Sequence, residues 1–417
     1  TFSGYGARSR DFVKSLIELK GEEWDIKVMP QRWGDTPWNF LSQDDPLRQR
    51  FIGQLQQQPD VWIQITVPNE FQPIGKYNIG LTAGIETTAC APQWIVGCNR
   101  MDLILTSSEH SKNVFEKTSY SVQDKRTNQN GTISLQKPVK VLFEGADLNI
   151  YKPLKSTELK NKELYNTLKS IPEDFAYLFV GHWIQGDLGE DRKNVSLLIK
   201  AFYEVFKGKK KVPALVLKTC TGTNCHMDRR EILRRLNTLR ESVPSNFKPN
   251  VYLVHGDLSD EEMNELYNHP KIKAMVSFTK GEGFGRPLLE FSLTNKPIIS
   301  SNWSGQIDFL HPEFTSLVGG ELKKVHKSSV VKDIILAESE WFSPNHGEIG
   351  GSMINMFEDY KNWKAKGKRQ GFHARSNFSF EKMKELLSSI LEESVPEIAK
   401  QVPLSLPKLK LPKLKKV

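Results

Sequence analysis

The sequence has few cysteines and no long apolar run. Its 417 residues include four cysteines, too few for the disulfide framework that stabilises many secreted proteins. No apolar stretch approaches the ~18 residues that a membrane-spanning helix needs. We therefore expect a cytoplasmic protein without a membrane span.

Motifs of several enzyme classes are also missing. The sequence contains no Walker A motif for binding phosphates and no GxSxG motif for a nucleophilic serine. Cys220, Cys225 and His226 lie close together, but the second pair of ligands that a structural zinc site requires is missing. We therefore predict that these thiols hold no metal.

Positive charge is concentrated at the end of the chain. The formal net charge is +9, and residues 400–417 contain six lysines and no acid, so the rest carries 9 − 6 = +3. A body of this charge gives no prediction of nucleic-acid binding. Repeated prolines forbid a continuous helix in 400–417, which predicts a disordered, solvated tail. Peripheral contact of this tail with an anionic membrane or an acidic partner stays open.

Strands and helices alternate in two series, which predicts an α/β protein with two parallel sheets. A chain of 417 residues is also too long for one ordinary core, so we expect two domains. The predicted strands of the first series are 61–65, 77–82, 102–106 and 139–143. Those of the second series are 176–181, 214–218, 251–254 and 274–278. The polar segment 151–173 is expected to connect the series, and an amphipathic helix is predicted at 380–393.

Gly4 and Gly6 precede a helix that has Phe12 and Leu16 on one face. Such a turn fits the first strand-to-helix connection of a Rossmann-like domain, where a phosphate meets the free N–H groups of the helix. No strand precedes the turn, and we expect that this first strand is missing from the sequence.

The most informative segment is GEGFGRPLLE. Glu282 and Glu290 stand eight positions apart across a glycine-rich turn, so both can border the same cavity. Glycines at 281, 283 and 285 allow a close approach of the backbone to a ligand and positive φ angles. Pro287 fits the first turn of a helix, where its missing N–H costs nothing. Taken alone, the segment favours a solvated glycine turn with two surface acids, because glycine turns are common.

The Glu-x7-Glu spacing is followed by the strand Pro297-x-Ile299 and by the turn Ser304-Gly305. Together they resemble the signature of retaining glycosyltransferases of family four (glycosyl transferases group 1), in the bacterial and phage-type subgroup. The resemblance implies the GT-B fold, in which two Rossmann-like domains face each other across a cleft and a C-terminal helix crosses back to the N-terminal domain. It runs from Gly4 to about Leu310.

The resemblance also implies a domain plan. An N-terminal acceptor-side domain would span residues 1–155, and a nucleotide-sugar-binding domain would span 156–378. The crossing helix would span 379–399, before the tail at 400–417. The cellular location would be the cytoplasm of a bacterium or of a virus-infected host cell.

Roles for individual residues follow from the same resemblance. Glu290 would bind the ribose hydroxyls of a nucleotide sugar, and Glu282 would bind the donor sugar. Arg192 and Lys193 would stabilise the diphosphate, because fixed cations favour the charge that develops on a leaving phosphate. Glu86 stands where many relatives have a His-Asp pair, so only an acceptor-side position is carried over for it. The remaining predicted donor-binding residues are Gly4, Gly6, Lys218, Gly283, Phe284, Gly285, Arg286, Leu288 and Leu289.

The predicted reaction moves a sugar from a nucleoside-diphosphate donor to an acceptor hydroxyl with retention. The sequence contains no Asp-x-Asp pair, so we expect chemistry without a metal or another cofactor. UDP-, GDP- and ADP-sugars remain open as donors. A polysaccharide, a protein or a modified phage DNA base remains open as the acceptor. Two alternatives stay in view: another GT-B enzyme such as a nucleotide-sugar epimerase, and a non-catalytic protein that binds sugar or nucleic acid.

Overall fold

The computed structural model describes residues 1, 3–32, 38–123 and 129–397. The segment 400–417, predicted as a disordered tail, lies outside these residues. Within them, the helices are α1 Gly4–Lys20, α2 Pro92–Cys98, α3 Glu109–Lys117, α4 Lys162–Lys169, α5 Val195–Phe206, α6 His226–Glu241, α7 Asp260–Asn268, α8 Arg286–Ser292, α9 His346–Glu358, α10 Tyr360–Asn377 and α11 Phe380–Ser394.

Strands form two larger sheets and two hairpin-like pairs within the same residues. They are β1 Val61–Ile65, β2 Tyr77–Leu81, β3 Leu103–Thr106, β4 Ser119–Gln123, β5 Asn130–Ser134, β6 Val139–Val141, β7 Ala176–Val180, β8 Ala214–Lys218, β9 Val251–Val254, β10 Ile272–Ser277, β11 Ile298–Ser301, β12 Ser316–Val318, β13 Gly320–Lys324 and β14 Glu340–Pro344.

The first large sheet is parallel throughout and has the strand order β1-β2-β3-β6. Apolar cores cover both of its faces, and successive side chains along β3 point alternately into one core and the other. Leu103 and Leu105 join the core that α1 and α11 cover, while Ile104 joins the core that α2 and α3 cover. A strand buried on both faces reads as a continuous apolar run, as Leu-Ile-Leu does here.

The second large sheet is also parallel, with the order β12-β11-β10-β7-β8-β9. Its middle strand β7 sends Tyr177 and Phe179 into one core, together with α5, α6 and α9. Ala176 and Leu178 enter the core on the other face, which contains residues of α7, α8 and α10. The α/β architecture with two parallel sheets, predicted from the sequence, is confirmed.

Helix α11 returns to the N-terminal sheet. Its buried residues Met383 and Leu387 pack in one core with Phe12 and Leu16 of α1. Just before the helix, the backbone N–H of Ala146 donates to the carbonyl of Phe378 at 3.0 Å, which joins the two segments. The crossing helix agrees with the prediction, whereas the predicted domain boundaries at residues 155 and 378 remain predictions.

The N-terminal glycines lie in a different place from the one predicted. Helix α1 begins at Gly4, so Gly4 and Gly6 belong to its first turn and do not form a turn ahead of it. The reason is a cap: the Ser3 side chain accepts a hydrogen bond from the N–H of Gly6 at 3.0 Å. One of the N–H groups expected to meet a phosphate is therefore already used.

The sequence pattern missed several elements. They include the pairs β4–β5 and β13–β14, the short helices α2 and α4, and the helices α9 and α10. All five residues of β13 are exposed, so no alternation of apolar and polar residues marks this strand. In the described part of the chain, no helix combines the length and the apolar composition needed to cross a membrane.

We expect Leu387→Ala in α11 to lower the free energy of unfolding by about 2–5 kcal/mol, because it leaves a cavity in the core shared with α1. Chemical denaturation measures the change. Leu188→Ala is the matched control, since Leu188 is 49% exposed and its truncation should change stability by about 0.5 kcal/mol or less. Equal effects of the two substitutions would contradict the packing of α11 described above.

Candidate active site

Loops that follow strands of the two large sheets meet at one place. The segment after β10 carries the glycine turn, and it contacts the loops that follow β2 and β3. The Ser107 hydroxyl after β3 donates to the carbonyl of Ala83 at 2.6 Å and lies 3.2 Å from the carbonyl of Gly283. Loops at the carboxyl ends of parallel strands are where open α/β sheets bind their ligands, so this contact is the candidate site.

The glycines of the turn permit a close contact between backbones. A Cβ atom on Gly281 would lie 2.0 Å from the carbonyl oxygen of Glu86, and one on Gly283 would lie 2.1 Å from that of Ala83. Gly285 has a φ of +98°, a left-handed conformation that favours glycine. The prediction of a close approach was made for a ligand, whereas these glycines approach the backbone of the N-terminal domain.

Four predicted residues form one partly buried charge cluster, the Glu282 cluster, which consists of Glu282, Lys193, Arg192 and Glu86. The Lys193 ammonium donates to both carboxylate oxygens of Glu282, at 2.5 Å for Oε2. Arg192 Nη1 lies 3.7 Å from Glu282 Oε2 and 3.3 Å from Glu86 Oε1. One guanidinium therefore joins an acid from each side of the contact between the domains.

The electrostatics of this cluster keep Glu282 ionised. Burial raises the pKa of its carboxyl group, but the charges of Lys193 and Arg192 outweigh burial and leave the pKa below its ordinary value. With Glu86 included, two positive and two negative side chains face one another. When a charged ligand binds, these side chains can pair with the ligand in place of one another, so that no buried charge is left without a partner.

Hydrogen bonds from the start of α5 to Asp191 fix the loop that carries the two cations. Asp191 is fully buried, and its carboxylate accepts from the N–H of Val195 at 2.8 Å and from the hydroxyl of Ser196 at 2.5 Å. These bonds cap the start of α5, directly after Arg192 and Lys193. Asn194 takes a left-handed φ of 56° between the cations and the helix. The cations are therefore set by the helix start and not by a mobile surface loop.

A second buried network, the Glu290 cluster, consists of Glu290, Arg286, Tyr267 and Asp11. Arg286 Nε donates to Glu290 Oε1 at 2.8 Å, and the Tyr267 hydroxyl donates to Glu290 Oε2 at 3.0 Å. Arg286 Nη1 also donates to Asp11 of α1 at 2.5 Å. Burial raises the pKa of Glu290 to about 7, although Arg286 and Tyr267 favour the charged form.

The structure does not bring every predicted donor-binding side chain to these clusters. Lys218 ends β8, and its ammonium donates to the carbonyl of Gly256 at 2.7 Å. Phe284, Leu288 and Leu289 are buried in the apolar core beside α8, so their side chains pack inside the domain. For these three residues, only backbone atoms could contact a ligand.

Sequence reasoning missed Asp11, Tyr267 and Asp191. Asp11 lies 275 residues from Arg286 and Tyr267 lies 23 residues from Glu290, and no local motif marks either of them. Asp191 had a weak signal, because an acid shortly before a helix is a typical capping residue. In the described ranges, no group of three or more His, Cys, Asp or Glu side chains is placed to hold a metal ion.

Three solved structures resemble the chain in fold. HepE of Anabaena, in complex with UDP and glucose, has a TM-score of 0.52 at 16% identity, covering 80% of this chain and 78% of its own. Sucrose-phosphate synthase from Thermosynechococcus elongatus has a TM-score of 0.50 at 13% identity, with 76% and 67% covered. A UDP-forming α,α-trehalose-phosphate synthase from Burkholderia xenovorans, in complex with glucose-6-phosphate, has a TM-score of 0.52 at 9% identity. The match covers 76% of this chain and 68% of the synthase. The fold is GT-B.

At these identities the likeness shows the GT-B fold alone. No protein-family model matches the sequence, and no curated protein matches it either. Membership of family four and of its bacterial and phage-type subgroup therefore remains a prediction. The two charge clusters lie where loops of the two GT-B halves meet.

The pKa of Glu290 gives a test of the second cluster. A carboxyl group whose pKa rises from 4.5 to about 7 on folding binds more protons in the folded state, so stability falls as the pH rises through this range. Between pH 5 and pH 8, the free energy of unfolding of the native protein should fall by about 2–3 kcal/mol relative to Glu290→Gln. Chemical denaturation at several pH values measures this difference.

Glu265→Gln is the matched control, because Glu265 is also buried but accepts hydrogen bonds from the N–H groups of Lys160 and Asn161 outside the cleft. It removes a buried carboxylate that does not belong to the Glu290 cluster, and its curve is compared with that of Glu290→Gln. Parallel pH curves for the native protein and Glu290→Gln would show that Glu290 titrates in its ordinary range.

Proposed function

We propose that the protein is a glycosyltransferase that moves a sugar from a nucleoside-diphosphate sugar to an acceptor hydroxyl. In this proposal the anomeric configuration is retained and no metal takes part. The observation that carries it is the Glu282 cluster: two fixed cations and two acids, contributed by loops of both GT-B halves, within one partly buried contact. The GT-B fold supports the same class of reaction through analogy of fold.

Arg192 and Lys193 supply what a leaving diphosphate needs. Cleavage of the bond between the anomeric carbon and the phosphate oxygen leaves negative charge on the diphosphate. Cations held in a buried place stabilise that charge more strongly than solvent-exposed ones would. On donor binding, the phosphate oxygens would replace Glu86 and part of Glu282 as the partners of these cations. The same two cations would do the work that a divalent metal does elsewhere.

The acids have separate roles in this proposal. Glu282, released in part from Lys193, would accept a hydrogen bond from a hydroxyl group of the donor sugar. Glu290 would accept hydrogen bonds from the ribose hydroxyls, with Arg286 and Tyr267 fixing its orientation. Glu86, on the loop after β2, would face the acceptor. The leaving phosphate would take the proton of the acceptor hydroxyl, so no protein nucleophile is assigned.

Identification of the donor is the first experiment. A ligand that binds only the folded state stabilises it, by about 2.7 kcal/mol at a hundredfold excess over its Kd. Thermal shifts with UDP-, GDP- and ADP-glucose, each beside its free nucleoside diphosphate, should reveal one base that raises Tm. Release of nucleoside diphosphate only when an acceptor is present would then separate a transferase from an epimerase. A protein that binds none of the six compounds contradicts the proposal.

Lys193→Ala should lower the rate of nucleoside-diphosphate release by about 10²–10³-fold, because it removes a cation that stabilises the leaving group. The rate is measured with the donor found above and a competent acceptor. Lys210→Ala is the matched control, since Lys210 is an exposed lysine beyond the opposite end of the same sheet and should leave the rate unchanged. A Lys193→Ala protein that turns over at the native rate would exclude the proposed role.

Glu290→Gln should weaken binding of the free nucleoside diphosphate by about 10- to 100-fold, because hydrogen bonds to a charged carboxylate are lost. Isothermal titration calorimetry measures the Kd, with Glu265→Gln as the control. An unchanged Kd would count against contact between Glu290 and the ribose.

A further inference from the structure

Glu144 occupies a fixed position at the edge of the N-terminal sheet that faces the glycine turn. It follows β6, as Ser107 follows β3, so both lie at the carboxyl ends of neighbouring parallel strands. The backbone is held on both sides of it. The carbonyl of Phe143 accepts from Arg8 Nη1 at 2.7 Å, and Ala146 is joined to the segment that leads into α11.

The carboxylate of Glu144 has no hydrogen-bond or ion-pair partner among the described residues, although the residue is only 8% exposed. Buried acids normally have such partners, because burial without them is costly. Glu265, also 8% exposed, accepts two backbone hydrogen bonds. Neither carboxylate oxygen of Glu144 is among the fully buried polar atoms that lack a partner, so the carboxylate reaches solvent. The Glu144 carboxylate is therefore accessible to a ligand and has no protein partner within the described residues.

Charged residues of both clusters influence the pKa of Glu144. Burial raises the pKa of Glu144 most strongly. The charges of Arg8 and Arg286 lower this pKa, while those of Asp11 and Glu282 raise it. Charged residues of both clusters therefore act on the Glu144 carboxyl group. An anionic group such as a phosphate would be repelled by a carboxylate here, whereas a neutral hydroxyl would not.

We propose that Glu144 binds a hydroxyl group of the donor sugar from the N-terminal side of the cleft. A hydroxyl group donates a hydrogen bond, so it satisfies the carboxylate of Glu144. This inference rests on the proposed function, and it gives the N-terminal domain a direct part in recognising the sugar. Glu144 then contributes to binding of the sugar moiety and not of the nucleotide.

The test compares the affinity for the nucleoside-diphosphate glucose found by thermal shift with that for the matching nucleoside diphosphate. Glu144→Gln should weaken binding of the sugar nucleotide about 5- to 10-fold, because a neutral amide replaces a charged acceptor. The Kd of the free nucleoside diphosphate should stay within about twofold, since that ligand lacks the donor sugar that Glu144 would contact. Glu265→Gln should change neither Kd.

Donor analogues that each lack one sugar hydroxyl test the contact in the native protein, where folding of a variant is not a concern. One analogue should bind the native protein about 5- to 10-fold more weakly, and Glu144→Ala should remove that difference. If no analogue shows this coupling, or if Glu144→Gln weakens both ligands equally, the inference is wrong while the proposed function stands. If the native protein binds neither nucleoside diphosphates nor their glucose derivatives, both are wrong.

Discussion

The buried carboxylate of Glu282 constrains everything around it, because a charge with 6% exposure is costly unless cations face it closely. Lys193 and Arg192 meet this need, and both stand immediately before α5. Their position depends in turn on Asp191, which caps that helix. One electrostatic requirement therefore links the turn after β10 to the start of α5.

The glycine turn shows a second constraint, which is steric. Gly281 and Gly283 lie so close to carbonyl groups of the N-terminal loop that a Cβ atom at either position would clash with them. This contact brings Glu86 within reach of Arg192, so the close packing of two backbones and the pairing of charges depend on each other. A larger residue at either glycine would push the two loops apart. Glu86 and Glu282, which both pair with Arg192, would then also move apart.

The sequence predicts the fold and one part of the candidate site, for identifiable reasons. Buried parallel strands such as Leu103-Ile104-Leu105 are marked by their own apolar residues, and α11 is marked by its helical spacing. Glu282, Glu290, Arg192 and Lys193 stand in or near local motifs. Asp11, Tyr267 and Glu144 could not be found in this way, because each is defined by neighbours that the folded chain brings from distant segments.

Arg192 and Arg286 share a feature that connects the two clusters. Each arginine faces one acid from its own half of the GT-B fold, Glu282 or Glu290, and one from the N-terminal half, Glu86 or Asp11. A diphosphate that takes Arg192 as its partner competes directly with Glu86 for the same guanidinium. Under the proposed function, donor binding and contact between the halves are therefore coupled. Linkage makes this coupling reciprocal: the Glu86–Arg192 contact weakens donor binding by the same factor by which donor binding weakens the contact.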